Sequence, residues 1–440
     1  MKIVFAPLHF LEALLLLLAL FLMVPSVGAV CVDGSIIKKI ELGGLEHTNE
    51  RVVLRELQNR EGEPFSTEKF ESEKLKLQDL DLFTEISANC ESADNGGGMV
   101  LHYSFKEIFR WIPAPAGKTT DRDGLMIGLA LANLNVLGED IRAEVQYRTA
   151  IDPIFESNEY AFYASSPYLF GLPVGWNFEF LRTDSWDDLR SFQDDSYLAD
   201  LDVEYQVLSR LSLLGTVAVR YLEKAAWLPE AGLGFAFDFR DSKLDSRKGV
   251  YFEYMMTHVG YGDDHDADCT VESCDDMGGE NYWELLTDAR AYYTAWRFIT
   301  GATALVRIRP GDVERYDYFY HGGTNTFRGH EADSNSLGVH EALLTLEERF
   351  VLRERKAASL WGINFFYGLQ LVAGLDGSLL WDKGSPSWKN YEGAVYGGLH
   401  LVIPALDRVR FEVGYSPDRK EPKFYFGLFD KTTSARWRSR

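Results

Sequence analysis

The 440-residue sequence has fewer positively than negatively charged residues, and this imbalance argues against two kinds of partner. It carries 45 lysines and arginines against 67 aspartates and glutamates, for a formal net charge of −22. A surface that binds nucleic acid must be basic to hold phosphates, so this balance argues against nucleic acid as a partner. It also disfavours unaided attraction to anionic lipid head groups.

Catalytic motifs are missing as well. The sequence contains no glycine-rich phosphate loop, no GxSxG nucleophile elbow and no His–Cys spacing of a zinc site. Its nine histidines are scattered, and the pattern indicates no base partner for four of them, namely His258, His265, His321 and His330. We therefore expect a protein that is not an enzyme and that needs no metal or cofactor.

The one long apolar run lies at the N-terminus. Lys2 precedes an apolar core from Ala13 to Val24, and Val27-Gly28-Ala29 is a small-residue cleavage pattern. A spanning helix needs about 20 apolar residues, so this core is short. The pattern predicts a signal peptide over residues 1–29, with a retained anchor as the alternative. Cys31 follows, but the residue before it fits a lipidation site poorly.

Four cysteines are present: Cys31, Cys90, Cys269 and Cys274. An even number behind an export signal indicates disulfides. Cys31 and Cys90 lie at opposite ends of one small region and are placed to tie it together. Cys269 and Cys274 lie in the acidic stretch GYGDDHDADCTVESCDDMGGE. A disulfide, a metal held there with His265, and a solvated acidic loop are the alternatives, and the spacing matches no metal site that we can name.

Residues 35–108 predict a small β-α-α-β-β unit. The strand SIIKKIEL ends at Gly43, and a helix begins near Thr48 or Asn49, whose side-chain oxygens suit an N-cap. A second helix begins at Ser66 or Thr67 and runs to Leu80. The strands LFTEISANCE and MVLHYSFKEI close the unit.

This pattern, with GEPFS between the helices and DLFTEI after them, resembles a POTRA domain, and we assign residues 30–108 to it. The resemblance implies a periplasmic module in front of an outer-membrane barrel. The exposed edge of its small sheet suits the addition of an extended peptide as an extra strand. An inert spacer with a similar fold is the alternative.

From about Phe109 onward, apolar and charged residues alternate in short runs such as EDIRAEVQYR, YLADLDVEYQVL and DRVRFEVGY. A soluble sandwich and a transmembrane barrel both accept such alternation. The export signal, the preceding module and aromatic residues at strand ends favour a barrel of about 16 antiparallel strands over residues 109–430. A basic tail, residues 431–440, follows.

The connections of this barrel alternate in length. Tight turns occur at NVLGED, FGLPVG, VLSRLS and TAWRF, and we assign them to the periplasmic side. Longer polar connections occur at Asp184–Ser196, Gly260–Glu280, Pro310–His340 and Asp382–Tyr391, and we assign these to the outside. This asymmetry is typical of bacterial outer-membrane barrels.

One of the long connections contains the stretch GGTNTFRGH, Gly322 to His330. With the features above, it resembles the BamA/TamA superfamily of outer-membrane assembly and secretion barrels. The resemblance implies that the sixth external loop folds into the lumen and presents an arginine-glycine pair. The matching positions are Gly322, Gly323, Arg328 and Gly329. The sequence departs from the family at Phe327 and His330, which puts the packing of the loop tip in doubt.

A guanidinium in a partly dehydrated lumen needs carboxylate partners. In LLTLEERFVL, placing Glu347 inward sends Leu344, Leu346 and Phe350 towards lipid, whereas placing Glu348 inward would bury all three in the lumen. In LQLVAGLDGSLLW, Asp376 shares its face with Gln370 and Ser378. The family resemblance implies acidic partners on these same two strands, and with it we predict an Arg328–Glu347–Asp376 cluster that clamps the loop to the wall.

The leading functional hypothesis is a factor that captures unfolded outer-membrane proteins with its POTRA domain and templates their insertion. A seam between the first strand, near Phe109 to Pro115, and the last, Lys423 to Phe429, is the expected template. A two-partner secretion pore and a passive porin are the alternatives, and a lipid-active barrel enzyme is a remote one. Expected partners are the outer-membrane bilayer, unfolded or secreted client proteins, and periplasmic chaperones or accessory lipoproteins.

Overall fold

A computed structural model of the chain describes residues 31–92, 98–120, 123–151, 157–187, 189–190, 192–223, 226–242, 245–263, 280–323, 326–329, 337–360, 363–382, 384–403 and 406–428. The predicted signal peptide, His265, Cys269, Cys274, His330 and the basic tail lie outside the described residues. Within the described part of the chain, no helix is both long enough and apolar enough to cross a membrane.

The N-terminal module has the predicted β-α-α-β-β order. Its elements are β1 (Ile37–Gly43), α1 (Glu50–Leu54), α2 (Thr67–Asp79), β2 (Phe83–Ser92) and β3 (Met99–Glu107). The strands form one sheet in the order β1-β3-β2, with β1 parallel to β3. Strands β1 and β2 are therefore the two edges of this sheet.

Local contacts fix the ends of these elements. The Ser66 hydroxyl accepts a hydrogen bond from the Lys69 amide at 3.3 Å, which is the predicted cap of α2. Helix α1 has Asn49 as its N-cap residue, one of the two predicted positions, but the expected capping bond from the Asn49 side chain does not form. A disulfide joins Cys31 to Cys90, 59 residues apart in sequence.

Residues from Trp111 onward form a closed antiparallel barrel of 16 long strands, as predicted. The strands are β4 (Trp111–Thr120), β5 (Gly124–Val136), β6 (Ile141–Ala150), β7 (Asn158–Ser166), β8 (Val174–Asp187), β9 (Phe192–Leu208), β10 (Leu211–Leu222), β11 (Ala226–Asp238), β12 (Gly249–Val259), β13 (Tyr282–Ala295), β14 (Phe298–Ile308), β15 (His340–Leu360), β16 (Ile363–Trp381), β17 (Tyr391–Ile403), β18 (Leu406–Tyr415) and β19 (Pro422–Leu428). Each strand pairs with the next, and β19 pairs with β4 to close the wall.

The barrel wall buries its charged face and exposes its apolar face. Glu144 and Asp200 are 1% and 3% exposed, whereas Val145 and Leu201 beside them in sequence are 50% and 40% exposed. A soluble sandwich would show the reverse, since its apolar faces meet each other and its charged faces meet water. The observed arrangement is that of a transmembrane barrel, with lipid outside and a polar lumen.

We call the rim that carries the first residue of β4 the lower rim and the opposite rim the upper rim. The four predicted tight turns all lie at the lower rim, and the long connections at the upper rim. The connection predicted at Asp184–Ser196 is shorter than expected, because β8 extends to Asp187 and β9 begins at Phe192. A ten-residue lower-rim connection, residues 239–248, was not anticipated from the sequence.

Candidate functional site

The candidate site lies on the upper-rim connection between β14 and β15, residues 309–339, which we call the upper loop. Within GGTNTFRGH the chain turns back on itself at Thr326, whose hydroxyl accepts from the Gly322 amide at 3.0 Å and donates to the Gly322 carbonyl at 2.7 Å. Gly323 has a φ of +102°, a backbone conformation that L side chains rarely adopt. These residues make the tight turn that presents Arg328.

Arg328 is buried and binds Asp376 of β16 in a bidentate manner. Its Nε lies 2.8 Å from Asp376 Oδ2 and its Nη2 lies 2.8 Å from Oδ1. The Arg328 backbone amide donates to the same carboxylate at 3.1 Å. The planar fork of a guanidinium matches a carboxylate in this way, which the ammonium of a lysine does not.

Two further acidic residues face the same guanidinium. Arg328 Nη1 lies 3.0 Å from Glu412 Oε1 on β18 and 3.9 Å from Glu347 Oε2 on β15. The guanidinium carbon also lies 3.4 Å from the centre of the Tyr396 ring on β17. Arg328 therefore contacts four consecutive wall strands from within the lumen.

Neighbouring side chains hold these carboxylates in place. The Thr345 hydroxyl donates to Asp376 at 2.8 Å, and the Tyr396 hydroxyl donates to Glu347 at 2.8 Å. His400 Nε2 lies 2.9 Å from Glu412 Oε1. Such supporting bonds fix the orientation of each carboxylate before the loop docks.

Glycines allow the loop backbone to approach the wall. A Cβ at Gly414 would lie 1.7 Å from the Arg328 carbonyl oxygen. A Cβ at Gly329 would lie 2.5 Å from the Phe327 ring and 2.6 Å from Ala394 Cβ. The Phe327 ring itself is fully buried. The aromatic residue at this position is therefore accommodated by the absence of a side chain at Gly329.

The electrostatics of the cluster favour a charged guanidinium. Burial lowers the pKa of Arg328, but the carboxylates of Asp376 and Glu412 raise that pKa more, so it lies well above its ordinary value. A buried ion pair contributes modestly when complete, whereas removing one partner leaves uncompensated charge at a cost of about 3–5 kcal/mol. Loss of any one of these charged groups would therefore leave the others with uncompensated buried charge.

One group of side chains in the described residues has the spacing of a metal site. Glu347, His400 and Glu412 each offer a ligand atom within 4.8 Å of the others. The Arg328 guanidinium lies 3.0 Å from Glu412 and 3.9 Å from Glu347, so the cation that these carboxylates face is an arginine. This arrangement suits a loop clamp.

The structure brings together the three charged residues that the sequence analysis grouped. Asp376 binds Arg328 directly and Glu347 lies at the outer limit of an ion pair. Glu412 was not predicted, although its position in DRVRFEVGY places it on the polar face of that run. Its closeness to Arg328 depends on the register across β16, β17 and β18, which no single run reveals.

His321 has an acidic partner, contrary to the prediction from the sequence pattern. His321 Nε2 lies 2.8 Å from Glu341 Oε2, and its Nδ1 contacts the Ser378 hydroxyl. A Ser-His-Glu arrangement also occurs in hydrolases. Here, however, Arg307 binds Glu341 as well, and the side chains of Ser378, His321, Glu341 and Arg307 are almost inaccessible to a substrate. These contacts place the group as a brace between the upper loop and the wall.

Further arginines hold the upper loop along its length. Arg309 binds Glu284 of β13 at 2.8 Å and lies 3.6 Å from the centre of the Phe319 ring. Arg190, in the β8–β9 connection, donates to the Tyr318 carbonyl at 2.6 Å. The described residues of the upper loop are therefore bound to the lumenal side of the wall at several points.

Comparison with known families identifies both parts of the chain. A family model described as the Omp85 superfamily domain matches residues 133–428. A POTRA model, described as a surface antigen variable number repeat, matches residues 35–107. No curated protein matches the chain.

Solved structures with a similar fold come from two kinds of barrel. BamA from Haemophilus ducreyi lacking POTRA domains 1–3 is 12% identical, with a TM-score of 0.50 over 90% of this chain and 84% of that one. CdiB from Escherichia coli is 14% identical, with a TM-score of 0.57 over 90% and 76% of the two chains. CdiB from Acinetobacter baumannii is 12% identical, with a TM-score of 0.52 over 90% and 73%. At these identities the likeness shows the fold.

Proposed function

The chain belongs to the Omp85 superfamily of outer-membrane β-barrels, and on that premise we propose that it inserts other β-barrel proteins into the outer membrane. The lower rim then faces the periplasm, where the N-terminal module also lies. The driving force is the folding of the client in the bilayer, so the proposal needs no catalytic residue.

The observation that carries this proposal is the short seam between the last and first strands. The described residues of β19 pair with β4 at two positions, Gly427 with Lys118 and Leu428 with Gly117. The neighbouring pair, β18 with β19, is joined at six positions. The sequence analysis expected the seam near Phe109 to Pro115, but the pairing lies further along the first strand. Strand β4 extends to Thr120, and its residues before Gly117 pair only with β5 among the described strands.

A short seam matters because backbone groups in lipid have no water to bond. Each unpaired N–H or C=O in the hydrocarbon region costs several kcal/mol, so an open strand edge there has a strong tendency to gain a partner. An incoming client strand supplies that partner. The seam thus offers a template on which a client sheet grows before it closes on itself.

The N-terminal module supports capture of the client in the periplasm. Its sheet ends in two edge strands, β1 and β2. The start of β1 already exchanges backbone hydrogen bonds with the connection between the helices, from the Ile37 amide to the Glu63 carbonyl and from the Gly62 amide to the Ile37 carbonyl, so β2 is the edge that we propose for client strands. An extended peptide adds to such an edge through main-chain hydrogen bonds, which do not depend on client sequence. This suits a factor that handles many barrels.

A disulfide across the seam tests the proposal. Lys118→Cys with Gly427→Cys places two thiols at paired positions, in a background with Cys269 and Cys274 replaced by serine. Val217→Cys with Ala231→Cys is the matched control, since these residues also pair and lie within the long β10–β11 ladder. We expect the oxidised seam lock to slow insertion of a urea-unfolded small barrel into vesicles at least fivefold, with recovery on reduction.

The control lock should insert clients at the rate of the parent protein in both redox states. Equal insertion rates for the oxidised and reduced seam variant would rule out the seam as the template. A two-partner secretion pore is the second candidate. It passes a client through the lumen, so it would tolerate the seam lock but would require the upper loop to leave the lumen.

A further inference from the structure

A second loop enters the lumen from the opposite rim. In the connection between β11 and β12, we call the described residues 239–242 and 245–248 the lower loop. The lower loop is mostly polar, yet Asp245 and Ser246 are 6% and 5% exposed. Connections normally stay on the surface, because their polar groups need water. Here protein groups replace the water, which indicates that the lower loop is a docked element of the lumen.

The partners of Asp245 lie across the lumen from its own strands. Asp245 Oδ1 lies 3.1 Å from Arg349 Nη1 on β15 and 3.1 Å from Arg408 Nη2 on β18. Gln370 of β16 donates to the same oxygen at 3.3 Å. In the order of strands around the barrel, β15 is the third strand after β12, β16 the fourth and β18 the sixth. The loop therefore crosses the lumen to reach its anchor.

The lower loop is pre-shaped for this contact. The Asp241 carboxylate accepts from the backbone amides of Arg247 at 2.9 Å and Lys248 at 3.0 Å. The Ser246 hydroxyl donates to the Ser242 carbonyl at 2.7 Å, and Arg349 Nη2 donates to the Ser246 carbonyl at 2.8 Å. Burial raises the pKa of Asp245, but Arg408, Arg349 and Arg247 lower it more, so this pKa falls to about 2 and the carboxylate is charged at neutral pH.

Glu347 lies between the Asp245 cluster of the lower loop and the Arg328 cluster of the upper loop. Its Oε1 lies 3.4 Å from Arg349 Nε and 3.9 Å from Arg408 Nη1, which both bind Asp245. Its Oε2 lies 3.9 Å from Arg328 Nη1 and accepts from the Tyr396 hydroxyl. One carboxylate thus faces the arginine of the upper loop and both wall arginines that hold the lower loop.

We propose that the lower loop is a second lumenal plug, and that Glu347 couples it to the upper loop so that releasing either loop loosens the other. The physical reason is charge balance. If Arg328 withdraws, Glu347 gains freedom to turn fully towards Arg349 and Arg408, and it then competes with Asp245 for them. If Asp245 withdraws, those arginines draw Glu347 away from Arg328. This inference concerns how the lumen opens and does not depend on the class of client.

Thiol labelling of the lower loop tests the coupling. Ser246→Cys, with Cys269 and Cys274 replaced by serine, is treated with a polyethylene glycol maleimide in the purified full-length barrel. We expect slow labelling in the parent and an approximately tenfold faster rate when Arg328→Lys is added. The increase should disappear when Glu347→Gln accompanies Arg328→Lys, because the carboxylate that competes with Asp245 is then gone. Glu348→Gln is the matched control, since the Glu348 carboxylate bonds Thr300 on the other face of β15, and its rate should stay within twofold of the parent.

The reciprocal test uses trypsin, which cuts after Arg328 only when the upper loop leaves the lumen. Asp245→Asn should speed this cleavage about tenfold. Glu354→Gln, which removes a 60% exposed partner of Arg247, should leave the cleavage unchanged. Tyr396→Phe removes the hydroxyl bond to Glu347 and frees that carboxylate to turn towards Arg349 and Arg408, so it should by itself speed the labelling of Ser246→Cys, and it tests the coupling if Glu347→Gln fails to assemble.

Two results would overturn the proposal. Rapid labelling of Ser246→Cys in the parent protein would show that the lower loop does not occupy the lumen. Equal labelling rates in the parent, Arg328→Lys and Tyr396→Phe proteins, or a faster rate in Arg328→Lys that persists when Glu347→Gln is added, would show that Glu347 does not couple the two loops. Neither readout involves client insertion, so failure here is distinct from failure of the insertion proposal.

Discussion

At the scale of single residues, the site depends on an arginine rather than on a positive charge alone. Arg328 uses Nε and Nη2 on Asp376, Nη1 on Glu412, and its flat face on Tyr396. A lysine ammonium is a compact point charge and satisfies one of these carboxylates at a time. The other would remain buried and only weakly compensated.

Replacement of Arg328 should therefore lower barrel stability in a graded way. We expect Arg328→Lys to lower the temperature at which the folded band disappears in a heat-modifiability gel, and Arg328→Ala to lower it further. The loss for alanine should correspond to about 3–5 kcal/mol, the cost of leaving buried carboxylates without their cation. Arg210→Ala, at the exposed β9–β10 turn of the lower rim, serves as the control. Identical transitions for all four proteins would refute the clamp.

Strand parity predicted part of this cluster, and its limits are physical. Alternation assigns Glu347 and Asp376 to the lumen because the opposite choice would bury leucines there. The same alternation places Glu412 inward, but parity gives the face of a residue and not its height along the barrel. Height depends on the register of β16, β17 and β18, which is set by turns and bulges between them.

At the scale of elements, docking of the upper loop requires a residue without a side chain on β18. The Arg328 carbonyl approaches Gly414 so closely that a Cβ there would lie 1.7 Å from the oxygen. Backbone on both sides of this contact is fixed, one by the Asp376 bonds and the other by the sheet. The clash cannot be relieved by rotating a side chain.

Gly414→Ala should therefore displace the upper loop while leaving the wall intact. We expect trypsin to cut after Arg328 many times faster than in the parent, with little change in the strand content seen by circular dichroism. Gly397→Ala is the matched control, since the nearest atom to its added Cβ is a backbone oxygen at 3.4 Å. Protection of Arg328 in the Gly414→Ala protein would show that the loop does not dock at this point.

The sequence predicted which elements exist better than how they meet. Sixteen strands and the β-α-α-β-β module follow from alternation and helix periodicity, which are local properties. The seam and the lower loop do not. Pairing of Gly117 and Lys118 with the end of β19 depends on closure of the whole wall. The sequence of the lower loop is typical of a polar turn. The contacts of Asp245 with Arg349 and Arg408 become visible only when the strands are arranged in the barrel.

At the scale of the whole molecule, the two faces of the barrel wall have different roles. The outer face holds the barrel in the bilayer, and the inner face binds two loops that enter from opposite rims. A passive porin needs an open, water-filled lumen, whereas the described lumenal residues are largely paired with each other. We therefore expect small and infrequent conductance in planar bilayers, rising in the Asp245→Asn protein. Large, steady conductance in the parent would favour a porin.

Depletion of the protein in its native bacterium separates insertion from dedicated export. On the proposed function, the short seam and the POTRA domain bind clients through main-chain hydrogen bonds, which do not depend on client sequence, so many clients should depend on the protein. We expect quantitative mass spectrometry of outer membranes to show several barrel proteins falling together after depletion. The control lock, Val217→Cys with Ala231→Cys, should restore them, whereas the oxidised seam lock, Lys118→Cys with Gly427→Cys, should not. If barrel levels hold and one secreted protein fails to reach the surface, the chain is a secretion pore, because only the lumen, and not the seam, would then carry the client.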